Sequence, residues 1–365
     1  QALGPSSSFS EKESAERKAA AIHDIRSLRV KLPKPGIRLL SFDDGGARGF
    51  SMLLMLRDML AEIEFLTHET ALPCEFFDII AGSGIGGFLA LLLGRLRLSI
   101  DDAIECYTRV VERVFMRTKN YNFKTAPFED VLREISNRFG DGDDTDMMGE
   151  RGPQCKTFVC IREDDPPGMP TPRRLRTYAH PAEPATHYTL IQAIRATMGN
   201  PVFFQPATIT RTDGSTMALL DAGPDHCNPS FDLLEEAYAL YPSRNIAYIL
   251  SLGAGRANTI DAKPWRGLLQ PPRLPSSCLT TMQDLARRCD AIAEAFTSRN
   301  PELQAVYFRF SHDKGSVDGK MAQWEQLEVL KGILRPYVDS VDEQSFSLVR
   351  KMMHERSVLA GRSTW

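Results

Sequence analysis

Two groups of residues in this chain have the types and spacing to do chemistry. The first is Phe77-Asp78-Ile79-Ile80-Ala81-Gly82-Ser83-Gly84-Ile85-Gly86-Gly87, an apolar strand run that turns through glycines into an apolar helix, Phe88 to Leu93. This is the strand-turn-helix context in which G-x-S-x-G lifts a serine onto a strained turn above a helix N-terminus, ready to attack a carbonyl carbon. The central position of the pattern is Gly84, so the turn is kept and the hydroxyl is missing. Ser83 stands one residue early; a one-residue shift on a turn leaving a strand points its side chain into the sheet-helix junction, where bonding to local backbone is its ordinary role. The second group is Asp221, which ends the apolar run Met217 to Leu220. A carboxylate there lies at the C-terminal end of a strand, the edge at which parallel α/β sheets bind ligands, and is placed to act as a general base.

Four further segments give these groups a context. Leu39-Leu40-Ser41-Phe42-Asp43-Asp44-Gly45-Gly46-Ala47-Arg48-Gly49 resembles the D-G-G-G-x-R-G oxyanion loop of patatin-like phospholipases. Ala193-Ile194-Arg195-Ala196-Thr197 with Pro201 to Phe204 resembles their A-x-R-A-T segment, and Leu220-Asp221-Ala222-Gly223 with Asn228-Pro229 resembles their D-G-[GA] aspartate and the N-N-P after it. Ser251-Leu252-Gly253-Ala254-Gly255 resembles their S-[IL]-G-T-G strand end. With the elbow, the motifs run in the family's order from Ile37 to Gly255.

The resemblance implies a patatin-like α/β fold with a mostly parallel central sheet covered by helices on both faces. It also implies a chemistry in which an elbow serine attacks an ester and an aspartate takes its proton. Carried over by position, Gly45, Gly46 and Ala47 supply the oxyanion N–H donors and Arg48 packs or pairs beneath that loop. Gly82, Ser83, Gly84 and Gly86 form the elbow, and Asp221 is the base. Two departures fall on the chemistry: Gly84 takes the place of the serine, and Asp44 that of the first oxyanion-loop glycine. If Asp44 faces the pocket, it repels a developing oxyanion by ~4 kcal/mol at about 4 Å and an effective dielectric near 20. Alternatively it points outward and caps the following turn. Asp43, Asp44 and His226 are the fallback acid/base groups, with His226 expected at the pocket rim.

The composition is that of an ordinary globular protein: 365 residues, 25% charged and 42% hydrophobic, with net charge -3 and pI near 6.2. That balance gives no electrostatic reason to expect nucleic acid and shows no polybasic cluster for anionic membranes. No apolar run is long enough to span a bilayer and no secretory signal is visible, so at most peripheral membrane contact and a cytoplasmic location are expected. The seven cysteines are odd in number and scattered, which reads as reduced, buried thiols. Asp141-x-Asp143-Asp144-x-Asp146 lacks the glycine and distal glutamate of a calcium loop. No metal or cofactor is called for.

The elements that must position these groups read as strands alternating with helices. Residues 1–35 form a polar segment, with Gly4-Pro5 read as vector-derived and Glu11 to Arg29 as a surface helix. A patatin-like domain follows over 36–256, and a C-terminal helical extension over 257–365 packs on it. Strands are expected at Ile37 to Phe42 and Thr157 to Ile161, helices at Phe50 to Phe65 and Phe128 to Phe139, and a helix from Ile100 to Met116 opened by Ser99 and Asp102. Pro166, Pro167, Pro170 and Pro172 place an exposed connection over Glu163 to Arg174. In the extension, helices are expected at Thr281 to Phe296, Ala322 to Tyr337 and Glu343 to Glu355, with a strand at Ala305 to Phe310.

Three functions fit. The leading one is a repurposed enzyme, not a conventional Ser-Asp dyad hydrolase, doing non-covalent acid/base chemistry through Asp221 on an apolar carbonyl or acyl substrate. The second is a catalytically dead protein binding a lipid or a partner. The third is residual phospholipase or esterase activity through Ser83 or a water held by Asp221.

Overall fold

Strand β1 (Ile37–Phe42) is buried along its whole length, which is why its sequence is a nearly continuous apolar run instead of an alternation. The computed structural model describes residues 35–115, 125–149, 155–165, 167–183, 187–210, 214–256, 276–311 and 343–359. The expected helices at Glu11 to Arg29 and Ala322 to Tyr337 lie outside these residues. β1 pairs in parallel with β2 (Ile79–Ser83) on one side and β7 (Ile246–Gly253) on the other. β2 pairs in parallel with β3 (Lys156–Asp164), and β7 with β8 (Tyr307–Ser311). An antiparallel wing completes the sheet: β4 (Pro170–Arg176) and β6 (Thr216–Asp221) on β3, and β5 (Ala207–Thr210) on β6. The order is β5-β6-β3-β2-β1-β7-β8, with β4 branching from β3. The fold is therefore α/β, with a parallel centre and an antiparallel flank.

Alternation along the central strands feeds two cores. Leu40, Phe42, Ile80, Val159, Ile161, Leu250 and Leu252 face one side. They pack with α1 (Gly49–Thr67), α2 (Ile85–Ala90), α3 (Ile100–Val110), α4 (Thr125–Phe139) and α5 (Leu190–Thr197). Ile37, Leu39, Ile79, Ala81, Phe158, Cys160 and Ile249 face the other, against α6 (Ser230–Leu240) and Phe296 of α7 (Ser276–Arg299). The last helix, α8 (Glu343–Leu359), adds Leu348, Val349 and Met352 to the first core. α3 starts as its sequence predicts, with the Ser99 side chain accepting from the Asp102 N–H at 3.1 Å.

The Pro-rich connection requires a correction. β3 runs on to Asp164 and β4 begins at Pro170, so Pro170 and Pro172 lie within the second strand of a hairpin, while Pro166 lies outside the described residues. β4 pairs with β3 alone among the described strands, and an outer strand tolerates proline's missing N–H. The four-residue β5 was not foreseen in the sequence. The aspartate-rich loop after α4 closes on itself: Thr145 Oγ1 accepts from the Asp141 N–H at 2.7 Å and Ser136 Oγ donates to the Gly142 carbonyl at 2.6 Å. Cys74, Cys106, Cys155, Cys160, Cys227 and Cys289 are free thiols. No helix among the described residues is long and apolar enough to cross a membrane.

Candidate functional site

Two strand ends build the site. β2 stops at Ser83, which pairs with Cys160 of β3. One residue further along the same edge of β3, Ile161 pairs with Asp221, the last residue of β6. β6 arrives antiparallel in the space that β2 vacates, so Asp221 and the elbow meet end to end although 137 positions separate Gly84 from Asp221.

Gly84 has φ 55° and ψ −125°, a left-handed backbone that a residue with a Cβ adopts only under strain. The turn is pinned from outside by Thr197, whose Oγ1 accepts from the Gly84 N–H at 3.0 Å and donates to the Cys160 carbonyl at 3.1 Å. Ser83 is fully buried and its hydroxyl donates to the His226 carbonyl at 2.5 Å. It points away from the cleft, so Ser83 is not presented as a nucleophile.

Asp44 decides what the site can do. Its Oδ1 accepts from the N–H of Gly45 at 2.7 Å, of Gly46 at 3.4 Å and of Ile85 at 3.4 Å. These are the N–H groups of the glycine loop and of the residue after the nucleophile position, the donor set that receives an oxyanion in elbow hydrolases. The two orientations open for Asp44 in the sequence are thus one: the carboxylate caps its own following turn and faces the cleft. A Cβ built on Gly84 would fall within the volume of that carboxylate. Burial, and then the charge of Asp221, push the Asp44 pKa up to about 7.

Asp221 is held differently. Its Oδ1 accepts from Arg162 Nη2 at 3.1 Å and its Oδ2 from Asn200 Nδ2 at 2.8 Å, while Arg162 Nε binds its carbonyl at 2.9 Å. Arg162 lies over Gly223, where an added Cβ would stand 2.8 Å from the guanidinium carbon. Arg162 and Asn200 are site residues that sequence reasoning missed. Asn200 sits between the A-x-R-A-T segment and Pro201, so a signal was present; Arg162 is revealed only by the pairing of β3 with β6.

The remaining candidates separate. Asp43 turns the opposite way from Asp44 and makes a two-pronged pair with Arg309, at 3.0 and 2.6 Å. It does not join Asp44 and Asp221, which corrects its place among the acid/base candidates. Burial, the largest influence, raises its pKa, while Arg309 opposes that rise. Arg48 donates to the carbonyls of Gly255 at 3.1 Å and Arg256 at 3.3 Å, and burial lowers its pKa to about 10. The N–H of Gly45 and Gly46 turn to Asp44, whereas Ala47 lies within the short 3-10 turn Gly46–Arg48. Gly82 ends the β2 side of the elbow, and Gly86 lies under the backbone of Phe42 and Asp43, where a side chain would collide. His226 pairs through Nδ1 with Asp232 at 2.9 Å, a hydrogen bond that raises its pKa, and lies outside the cleft lining.

The cleft itself is lined by Asp44, Gly84, Thr197, Asn200 and Asp221, with Met198, Phe203, Phe204 and Met282 as its apolar wall. It encloses about 40 Å³, enough for a water. No cluster of three or more metal-ligating side chains occurs among the described residues.

A family model described as patatin-like phospholipase matches residues 40–224. Calcium-independent phospholipase A2-gamma of Mus musculus is 26% identical over 360 residues, covering 90% of this chain and 42% of the relative. A probable inactive patatin-like protein 9 of Arabidopsis thaliana is 29% identical over 256 residues, with 63% of each chain covered. A cUMP-AMP-activated phospholipase of Escherichia coli is 25% identical over 238 residues, covering 64% of this chain and 68% of the relative. The chain spans 42% or less of the length of the phospholipases A2-gamma it matches.

Proposed function

The chain belongs to the patatin-like phospholipase family, and from that membership we propose that it binds a lipid-type or acyl-bearing ligand without hydrolysing it through a serine. One observation carries the reading: the Asp44 carboxylate takes the three backbone donors that an oxyanion would need and fills the space in which a serine at position 84 would begin. Loss of the hydroxyl alone removes the covalent route, since deleting the nucleophile of a serine protease costs on the order of a million-fold in turnover. Asp44 removes the second half of the machinery as well, because it puts an acceptor where donors must face the substrate. The geometry thereby favours the binding reading over acid/base catalysis as the primary role. Similarity to a relative described as probably inactive agrees with it.

A second reading rests on a specific feature of the same cleft. Burial and the charge of Asp221 raise the Asp44 pKa to about 7, so its carboxyl can hold a proton near neutral pH, and it shares the cleft with Asp221, whose oxygens are bound by Arg162 and Asn200. A carboxylic acid and a carboxylate flanking a water-sized space form an acid/base couple able to direct water at a carbonyl.

Incubation with a fluorophosphonate probe and with phospholipid vesicles separates the readings. The binding function predicts no covalent adduct and retention of lipid without release of fatty acid. Fatty-acid release that Asp221→Asn abolishes would move the function to the acid/base couple. Stoichiometric labelling of Ser83 would restore serine hydrolysis.

A further inference from the structure

We propose that the groove beside the cleft binds the terminal phosphate of a phosphomonoester through Arg287 and Arg288 of α7. The groove encloses about 670 Å³, within the range of ligand sites, and shares Asn200 and Asp221 with the narrow cleft. Three guanidinium groups line it, those of Arg162, Arg287 and Arg288, against the carboxylates of Asp221 and Asp284. Arg162 is committed to Asp221. Arg287 pairs with Asp284 at 2.6 Å, but both side chains are about 60% exposed, and such a pair holds weakly. Arg288 forms no ion pair with a described carboxylate. Among the described residues, the wall thus offers one fork without an ion pair and a second that an incoming anion can recruit.

The number of forks selects the anion. A carboxylate has two oxygens and satisfies a single guanidinium side-on, whereas a terminal phosphate has three acceptor oxygens and a charge of about −1.5 to −2 at neutral pH. Two neighbouring arginines match the second better than the first. Leu285, Pro201 and Pro224 also line the groove, giving an uncharged body somewhere to lie. The ligand class is therefore a phosphomonoester with an apolar or neutral remainder, supplied either as a soluble ester or as a lipid headgroup. The groove adjoins the cleft through Asn200 and Asp221, but neither arginine lines the cleft, so replacing them leaves the hydrolytic question untouched.

The test measures binding of glycerol 3-phosphate by calorimetry and of phosphatidylcholine vesicles with and without phosphatidic acid by sedimentation. Binding of glycerol 3-phosphate identifies a soluble source; binding only to phosphatidic acid vesicles identifies a lipid one. In either case Arg287→Gln with Arg288→Gln should weaken binding about tenfold or more, as loss of charge-assisted hydrogen bonds does. Both side chains are exposed, so the fold is expected to survive, and circular dichroism checks it. Arg173→Gln, on the exposed face of β4, should leave binding unchanged. The proposal is overturned if neither probe binds, if the double variant binds like the parent, or if Arg173→Gln weakens binding equally. None of these results bears on fluorophosphonate labelling, which decides the hydrolytic question separately.

Discussion

The two halves of the cleft have been treated differently. On the Asp221 side the carboxylate sits at a strand end and both its oxygens are bound, by Arg162 and Asn200. On the elbow side the turn is built around a glycine, and Asp44, from the loop after β1, lies in the volume that a side chain there would need. The difference teaches that Gly84 and Asp44 depend on each other. A side chain at 84 excludes the carboxylate, and the carboxylate excludes a side chain at 84. The base side needs no such adjustment, because nothing about Asp221's contacts depends on what stands at position 84.

The largest effect expected from this contrast is on stability against pH. Asp44 has a folded pKa near 7, above the usual carboxylate value of 3.8, so between roughly pH 4 and 7 the folded chain keeps a proton that the unfolded chain has released. Stability must then fall as pH rises through that window and level off above it. The upper bound is on the order of 4 kcal/mol, at about 1.4 kcal/mol per pKa unit. Urea unfolding at pH 4.5 and 7.5 should show this loss in the parent and a smaller one in Asp44→Asn, the remainder coming from Asp43 and Asp290, whose pKa values burial also raises. An equal slope in both proteins would remove Asp44 from its desolvated position.

Next comes Gly84→Ser. The new side chain meets the Asp44 carboxylate on a backbone already strained for any Cβ, so we expect about 3 kcal/mol of destabilisation. Asp44→Gly in the same chain should recover most of it, a coupling that a double-mutant cycle reads directly. Additive effects would mean that the two positions are independent. On the other side of the cleft, Asp221→Asn keeps size and shape but weakens the bonds from Arg162. About 1.5 kcal/mol of stability should be lost, with a coupling to Gly84→Ser well below that between Gly84→Ser and Asp44→Gly, since Asp221 reaches Asp44 only through its charge. Strong coupling there would erase the distinction between the halves.

Much of this was legible in the sequence, for local reasons. β1, β2 and β3 are apolar runs of strand length, and the Ser99 cap and the glycines of the elbow act on their immediate neighbours. The absence of a nucleophile at Gly84 could be read from a single position. What could not be read were contacts made by topology. Arg162 reaches Asp221 across 59 positions because β6 takes the edge that β2 leaves. Arg309 removes Asp43 across 266 positions through the pairing of β8 with β7. The orientation of Asp44 lay between these cases: its turn chemistry was evident, but the same carboxylate's bond to Ile85 needed the elbow and the loop side by side.

The central claim, that Asp44 and Gly84 close the hydrolytic site together, is tested most directly by fluorophosphonate labelling of four proteins: the parent, Gly84→Ser, Asp44→Gly and the double variant. The account predicts that only the double variant is labelled, at residue 84, because it alone has a hydroxyl on the elbow and free donors in the loop. Labelling of Gly84→Ser as fast as the double variant would show that Asp44 does not obstruct the hole. Labelling of the parent at Ser83 would show that the site was never closed.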